Sequence, residues 1–513
     1  MKKRILPIAT IAIATIALAG CSNGSHGNGG SGGGNGDKLD TLTIMAPFLS
    51  TTAPKPDNDV EKALEEVVGA DLDISWVPNA SYDDKTNITL AGDDIPHVMV
   101  IGSKSPSFVK NAEAGGFWDL TDKLDDYEYL KTNMPEVQEA SSINGTVFGI
   151  FRARDTMRTS VTIRTDWLEN LGLEMPKDTN DLLEVARAFT EKDPDGNGAD
   201  DTYGLIVPSW PGGIGTNSPF DAIETWYGAG NRYVERDGQI VPGFDTEEWL
   251  EAVDFEKEFV DNGYINADFA TLDPATWNEP FLNGKGGIII DTYSRSGSIT
   301  NLMKEIDPDN WAEMVDFTGN LAGPDGEMRA LPTTGYSGFL AIPKAKVQTE
   351  EQLDQVLSIL NLMNSPEAGP IINNGIEGVH YTVEDGLAIG IEGVSDDENN
   401  ASKSIAQLGM NVQGNLGLDS KQATEVEQER WDKRQELEES DYASAVFDPT
   451  APYVSDTYVA KGAQIDLIVG DARLKYLAGQ ISKDDLTSEI ARWHAEGGDD
   501  IIAELNELAA ANE

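Results

Sequence analysis

The chain has 513 residues and a formal net charge of −52, from 89 acidic and 37 basic side chains. Binding a phosphate backbone needs clusters of Lys and Arg. This balance therefore excludes a nucleic-acid-binding body and disfavours a polyanion or an anionic membrane face as a broad docking partner. The single cysteine, Cys21, can form no intrachain disulfide, so a hydrophobic content of 39% with ten Trp must supply the core.

In chain order, Lys2, Lys3 and Arg4 precede the apolar run Ile5 to Leu18 and the small pair Ala19-Gly20. That order reads as an export signal over residues 1–20. The apolar run falls short of the roughly 20 residues a membrane-spanning helix needs. Leu18-Ala19-Gly20-Cys21 resembles the lipobox of bacterial lipoproteins, which implies cleavage before Cys21 and lipidation of that residue. An ordinary signal peptide beside an incidental cysteine is the plainer alternative. Residues 21–40 are rich in Gly, Asn and Ser, the composition of a flexible tether.

The body alternates strand and helix signals. Leu42 to Met45 reads as a strand, Val60 to Val68 as a helix, Leu72 to Trp76 as an alternating strand and Pro96 to Ile101 as a buried one. Asn144-Gly145 marks a hairpin-like turn before Val147 to Ile150. A second α/β run opens with the strand Val161 to Ile163, followed by a helix capped by Asp166, carrying Trp167, Leu168 and Leu171, and ended by Gly172. Leu182, Ala186 and Phe189 share one helix face. Ile288 to Ile290 and Phe339 to Pro343 read as later strands, and charged helix dominates after Thr424. Strands alternating with helices predict an α/β fold with parallel pairings.

Two motifs carry a mechanism. In Asp193-Pro194-Asp195-Gly196-Asn197-Gly198-Ala199-Asp200-Asp201, oxygen donors at positions 1, 3 and 5 of a loop precede a turn glycine at position 6, as in an EF-hand-type calcium loop. The expected ligands are Asp193, Asp195, Asn197, the Ala199 carbonyl and Asp201. Here Gly198 takes position 6, and position 12 is Gly204 where a bidentate Glu is usual. The expectation is a structural Ca²⁺ of modest affinity; the plainer alternative is an acidic turn. The second motif is a scatter of aromatics in Gly- and Pro-rich segments: Trp210, Trp226, Tyr227, Trp277, Tyr293 and Tyr336. Flat rings with polar edges suit the apolar faces of sugars. Trp167, on a helix face with Leu168 and Leu171, reads as core.

Several stretches resemble the extracellular solute-binding lipoproteins of carbohydrate ABC importers, in the long branch found in monoderm bacteria. They are Ile163 to Leu168 with Leu171-Gly172-Leu173, Lys192 to Leu205, Phe281 to Gly287, Gly375 to Tyr381, and Gly479 to Asn506. The resemblance implies a two-lobe periplasmic-binding-protein-like fold of type II, with a hinge and extra C-terminal helices. It also implies an oligosaccharide held in the cleft, delivery to ABC permease subunits, a monomer, and a lipid anchor at the outer face of the cell membrane. Crossings are expected near Arg154–Ser160, Thr271–Pro274 and Thr333–Gly338. Lobe 1 would then hold 41–157 and 272–334, and lobe 2 158–271 and 335–513. Trp277, Asp291 and Tyr293 are expected at the cleft, followed by Trp210, Tyr336 and Glu377; Arg152 is either a cleft donor or a hinge ion-pair partner. The calcium-like loop would stabilise a lobe, although Thr202 follows Asp201 where relatives often carry an acid.

Two other classes stay open. A surface-anchored glycoside hydrolase would need paired carboxylates, and no motif pairs them. The Gly-x-Ser-x-Gly match at Gly29 to Gly33 lies in the tether, without the strand and helix of a nucleophile elbow. A carbohydrate or peptide sensor lipoprotein would share the fold with another output, since fold alone does not fix function.

Overall fold

The computed structural model describes residues 39–210, 214–414 and 417–512. The expected export signal, the expected lipidation site Cys21 and nearly all of the expected tether lie outside the described residues. The body alternates strand and helix as the sequence predicts. In β1 (Thr41–Phe48) and β2 (Asp71–Pro78) the strands pair in parallel, and β3 (Val98–Ile101) joins the other edge of β1. The helix between β1 and β2, Asp59–Val68, starts at Asn58, whose side chain accepts from the Val60 and Glu61 amides. It ends at Gly69 in the left-handed conformation. Its Val60, Leu64 and Val68 face the sheet side of the core. After the turn at Asn144-Gly145, where both residues have positive φ, comes β4 (Ile150–Ala153).

The chain then crosses to a second sheet. It holds β5 (Thr159–Arg164) and β6 (Tyr203–Leu205); the hairpin β7 (Tyr233–Arg236) and β8 (Gln239–Pro242) stands apart from it. Between β5 and β6, Asp166 lies in the first turn of the helix Thr165–Leu171 and pairs with Arg164 instead of capping it; Gly172 ends that helix as expected. β9 (Gly286–Thr292) and β10 (Val315–Thr318) complete the sheet in the order β10-β5-β9-β6. In β9, Ile288 and Ile290 enter one core cluster while Ile289 faces another on the opposite side. That split is the two-residue period of a strand covered on both faces.

β11 (Tyr336–Ala341) returns to the first sheet, whose order is β2-β1-β3-β11-β4, with β11 antiparallel to both neighbours. A small hairpin, β12 (Tyr381–Glu384) with β13 (Leu387–Gly390), follows. The C-terminal helices then pack on the second lobe: Glu425–Tyr442 is tied down by Lys304–Glu427 and Lys433–Asp316 ion pairs. The helices from Ala463 to Asn512 share the core that holds β5 and β9. Among the described residues no helix is long and apolar enough to cross a membrane.

These pairings correct the expected division into lobes. Residues 272–334 belong with β5, not with β1, because β9 pairs with β5 and β6 and β10 pairs with β5. Residues 335–412 belong with β1 to β4, because β11 inserts between β3 and β4. No crossing occurs at Thr271–Pro274; that segment leads into a short helical turn of the second lobe, near the buried Trp277. The expected crossings at Arg154–Ser160 and Thr333–Gly338 are present, and they lie side by side. The Arg154 amide donates to the Gly335 carbonyl at 2.8 Å, and the Thr333 amide to the Thr156 carbonyl at 2.8 Å. At the end of the second crossing Gly338 has φ of 77°, and a Cβ there would sit 2.0 Å from the Ile101 carbonyl oxygen. Only glycine lets β11 bulge this close to β3.

Candidate functional site

The paired crossings form the floor between the lobes, and a cavity opens on each side of the second one. Thr333 lines a cavity of about 300 Å³ together with Arg158, Trp210, Asn217 and Asp291. Thr334 lines a cavity of about 510 Å³ with Lys104, Arg232, Asp448 and Tyr458. Both volumes suit small ligands. The first cavity lies at the C-terminal end of β9, and Lys104 follows β3, so both sites sit at strand C-termini, where open α/β sheets bind ligands.

The smaller cavity brings together two of the six expected ligand residues. Trp210 is half-buried and meets Trp277 edge-on, with ring centres 5.7 Å apart. Asp291 is held by an ion pair with Arg295, and only 12% of its side chain is exposed. Trp277 itself is 1% exposed. Its indole nitrogen donates to the Ile206 carbonyl at 3.0 Å, and the Arg295 guanidinium lies 4.2 Å over its ring. Trp277 therefore supports Trp210 from below and presents no face to a ligand.

The other three expected residues are placed differently. Tyr293 is buried against Phe317 at 5.4 Å and under Arg434 at 5.5 Å, so its ring anchors the helix Glu425–Tyr442. Burial pushes its phenol well above the ordinary range. Tyr336 stands at the start of β11 beside the hinge, half-buried against the first lobe's core, with its phenol pushed up to about 12 by burial. Glu377 is exposed on the first lobe, at the turn before β12, and lines neither hinge cavity.

One wall of the smaller cavity is built on a buried charge network. Ser218 caps the helix Pro219–Tyr227, and Asp221 returns the bond, accepting from the Ser218 and Thr216 amides at 2.9 and 2.8 Å. Arg473, from a C-terminal helix, reaches Asp221 at 3.1 Å and Glu224 at 2.5 Å with its side chain only 5% exposed. Burial raises the Glu224 carboxyl to about 7, with Arg473 opposing the rise. Glu256, fully buried beside them with no hydrogen-bond partner on either oxygen, is raised further by burial and by Glu224. The larger cavity has its own shifted group. The Lys104 ammonium donates to the Ser142 and Ala451 carbonyls at 2.5 Å each, and burial lowers it to about 7.

The calcium-like loop lies before the N-terminal end of β6, whereas Trp210 of the smaller cavity follows the strand's C-terminal end. Asp193, Gly196 and Gly198 take positive φ, which folds the loop inward. The Asn197 amide nitrogen sits between two carboxylates, donating to Asp195 Oδ2 at 2.7 Å and Asp201 Oδ1 at 3.3 Å. Lys285 pairs with the other Asp201 oxygen at 2.5 Å. Two donors with positive character thus occupy the place between the acids, and turning the Asn197 amide would present its oxygen there. That donor set fits a hard cation, although among the described residues no three His, Cys, Asp or Glu side chains converge as a metal cluster.

Sequence reasoning missed Arg158, Asn217, Lys104 and Arg232 as cavity residues. Asn217 had a readable signal, since it immediately precedes the Ser218-Pro219 helix start; the others are ordinary cations until the lobes are assembled.

A family model described as bacterial extracellular solute-binding protein matches residues 52–370. Lipoprotein LipO of Bacillus subtilis is 43% identical over 474 residues, covering 91% of this chain and 92% of that protein. The polygalacturonan/rhamnogalacturonan-binding protein YtcQ of Bacillus subtilis is 30% identical over 455 residues, covering 88% of each. Among solved structures, an HMO-binding, ABC-transporter-associated solute-binding protein from Bifidobacterium longum infantis superposes with a TM-score of 0.69. Its identity is 17%, and the match covers 92% of this chain and 99% of that one.

Proposed function

Because this chain belongs to the bacterial extracellular solute-binding protein family, we propose that it captures an oligosaccharide between its lobes and delivers it to an ABC importer. The observation that carries this reading is the pair of hydrogen-bonded crossings with Trp210 over one of the cavities beside them. An aromatic face held edge-on by Trp277, with amide and hydroxyl groups around it, suits a sugar ring. Two adjacent crossing strands can bend together, so the lobes close on the ligand by hinge motion. The sugars named for YtcQ and for the Bifidobacterium protein support a glycan as the ligand class. On this reading the sugar leaves unchanged, and the chain acts as a monomeric capture protein.

Cys21 is the lipid attachment point, and residues 22–40 let the body stand off the outer face of the membrane, beside the permease. The loop Asp193 to Asp201 holds a calcium ion through Asp193, Asp195, Asn197, the Ala199 carbonyl and Asp201. Bound there, the ion would neutralise the loop's acids and fix the approach to β6. A calorimetric screen of the full chain in detergent against a glycan panel, with mass analysis of the recovered sugar, tests the function. Saturable binding with intact sugar supports it; cleaved sugar or no glycan binding would overturn it.

A further inference from the structure

Ten of the thirteen arginines among the described residues form an ion pair with a carboxylate. Arg164, Arg187, Arg232, Arg236 and Arg295 each ion-pair with a carboxylate. Arg329, Arg430, Arg434, Arg473 and Arg492 do so as well. Among the described residues the arginines without such a pair are Arg152, Arg154 and Arg158. They are consecutive arginines running from the end of β4 along the first crossing, Phe151-Arg152-Ala153-Arg154-Asp155-Thr156-Met157-Arg158. With 89 acidic side chains in the chain, three unpaired guanidiniums in one segment are not a matter of shortage.

Their surroundings explain what they lack. Arg152 is 9% exposed, and its guanidinium donates only to neutral oxygens, the Ser337 carbonyl at 2.9 Å and Gln407 Oε1 at 3.0 Å; its Nε has no partner. A buried guanidinium without an anion is unfavourable, and it is held down to about 10 by burial and then by Arg154's charge. Arg154, one residue past the end of β4, is exposed, and its backbone is tied to Gly335. Arg158 lines the cavity under Trp210 and donates only to Ser294 Oγ, at 3.0 Å. The neighbouring acids are ion-paired to other arginines: Asp155 and Glu438 to Arg434, with Glu438 also within reach of Arg158's charge, and Asp291 to Arg295.

We infer that the hinge arginines supply an anion site, and that the ligand of this cleft is an acidic oligosaccharide whose carboxylate is bound by Arg158 in the smaller cavity, with Arg154 on the exposed crossing as a second charge and Arg152 adding positive potential from within the first lobe. This deepens the oligosaccharide reading and rests on it. A guanidinium matches a carboxylate with two parallel N–H donors, and its hydrogen bonds are stronger where charge assists them. The net charge of −52 does not oppose such a site, because charges farther than about 8–10 Å across water are largely screened at physiological salt. The surrounding acidity instead makes an acidic ligand selective for this one unpaired segment.

The test titrates the full chain in detergent with tri- and tetrasaccharides of galacturonate, glucuronate and mannuronate. Each is paired with its neutral methyl ester, and neutral fructo-, galacto- and manno-oligosaccharides complete the panel. The expected result is saturable binding of at least one acidic form, about tenfold or more tighter than its ester. Arg158→Gln and Arg154→Gln should each weaken the acid by about tenfold and leave the ester unchanged. Arg158→Lys should restore part of the loss, which a role in folding alone would not do. Equal binding of acid and ester, or binding of neutral sugars only, would overturn this inference and leave the oligosaccharide reading standing. Failure of every sugar in the panel would overturn both.

Discussion

Replacing Arg473 with Met tests whether the C-terminal helices hold the cleft wall in place. Among the described residues Arg473 is the one cation facing Asp221, Glu224 and Glu256, and its side chain is 5% exposed. Removing one partner from a buried ionic cluster costs about 3–5 kcal/mol, because the remaining charge is left uncompensated. The loss must depend on pH. Glu224 rises from 4.5 to about 7 on folding, and Glu256 rises further, both chiefly through burial. A carboxyl raised in the folded state favours folding most below its unfolded value and progressively less as pH climbs through the folded one. For Glu224 in the unaltered protein that decline is on the order of 3 kcal/mol between pH 4.5 and 7. Without Arg473 the upward shift grows and the decline extends to higher pH. Urea unfolding followed by tryptophan fluorescence should show the full deficit at pH 8 and a much smaller one at pH 5. Adding Glu224→Gln should recover part of it at pH 8. A deficit below about 1 kcal/mol, or one independent of pH, would refute the reasoning.

Trp210→Ala should weaken glycan binding by about tenfold or more in calorimetry while changing stability little, since aromatic anchors dominate such contacts. Trp277→Ala should instead lower stability by about 3–5 kcal/mol in urea unfolding, the usual cost of emptying a buried indole site. Raising free calcium to about ten times its dissociation constant should add about 1.4 kcal/mol of stability by mass action. Differential scanning fluorimetry would show that as a rise in Tm that Asp195→Asn removes; no rise at millimolar calcium would count against the ion. Cys21→Ser should release the protein from the membrane fraction, measured by detergent phase partitioning, and a variant that stays with the membranes would remove the lipid anchor from the account.

The local elements were readable because their signals are local. The helix expected over Val60 to Val68 is set by its immediate neighbours, Asn58 capping its start and Gly69 ending it left-handed, and Asn144-Gly145 makes its turn whatever surrounds it. Sheet membership was not readable in the same way. Ile288 to Ile290 is a run suited to any strand covered on both faces, and nothing in it says whether β5 or β1 lies alongside. The extra crossing placed at Thr271–Pro274 therefore exchanged residues 272–334 and 335–412 between the lobes, although the other two crossings were located correctly and the C-terminal helices fall on the second lobe as expected. The same limit separates Trp210 from Trp277. Both sit in loop-rich sequence within three residues of a Pro, and only the packing of Arg295 and Ile206 buries one beneath the other. The spacing of Arg152, Arg154 and Arg158 was plain in the sequence. Their lack of partners became visible only once Asp155 and Asp291 were seen paired elsewhere.

The central claim is that the cleft above the paired crossings captures a glycan and leaves it intact. An equilibrium titration of the full chain with the glycan panel, read by tryptophan fluorescence, tests it most directly. The account predicts a saturable change with at least one oligosaccharide, lost in Trp210→Ala, with the sugar recovered whole. A signal that survives Trp210→Ala unchanged, or a sugar recovered in pieces, would contradict it.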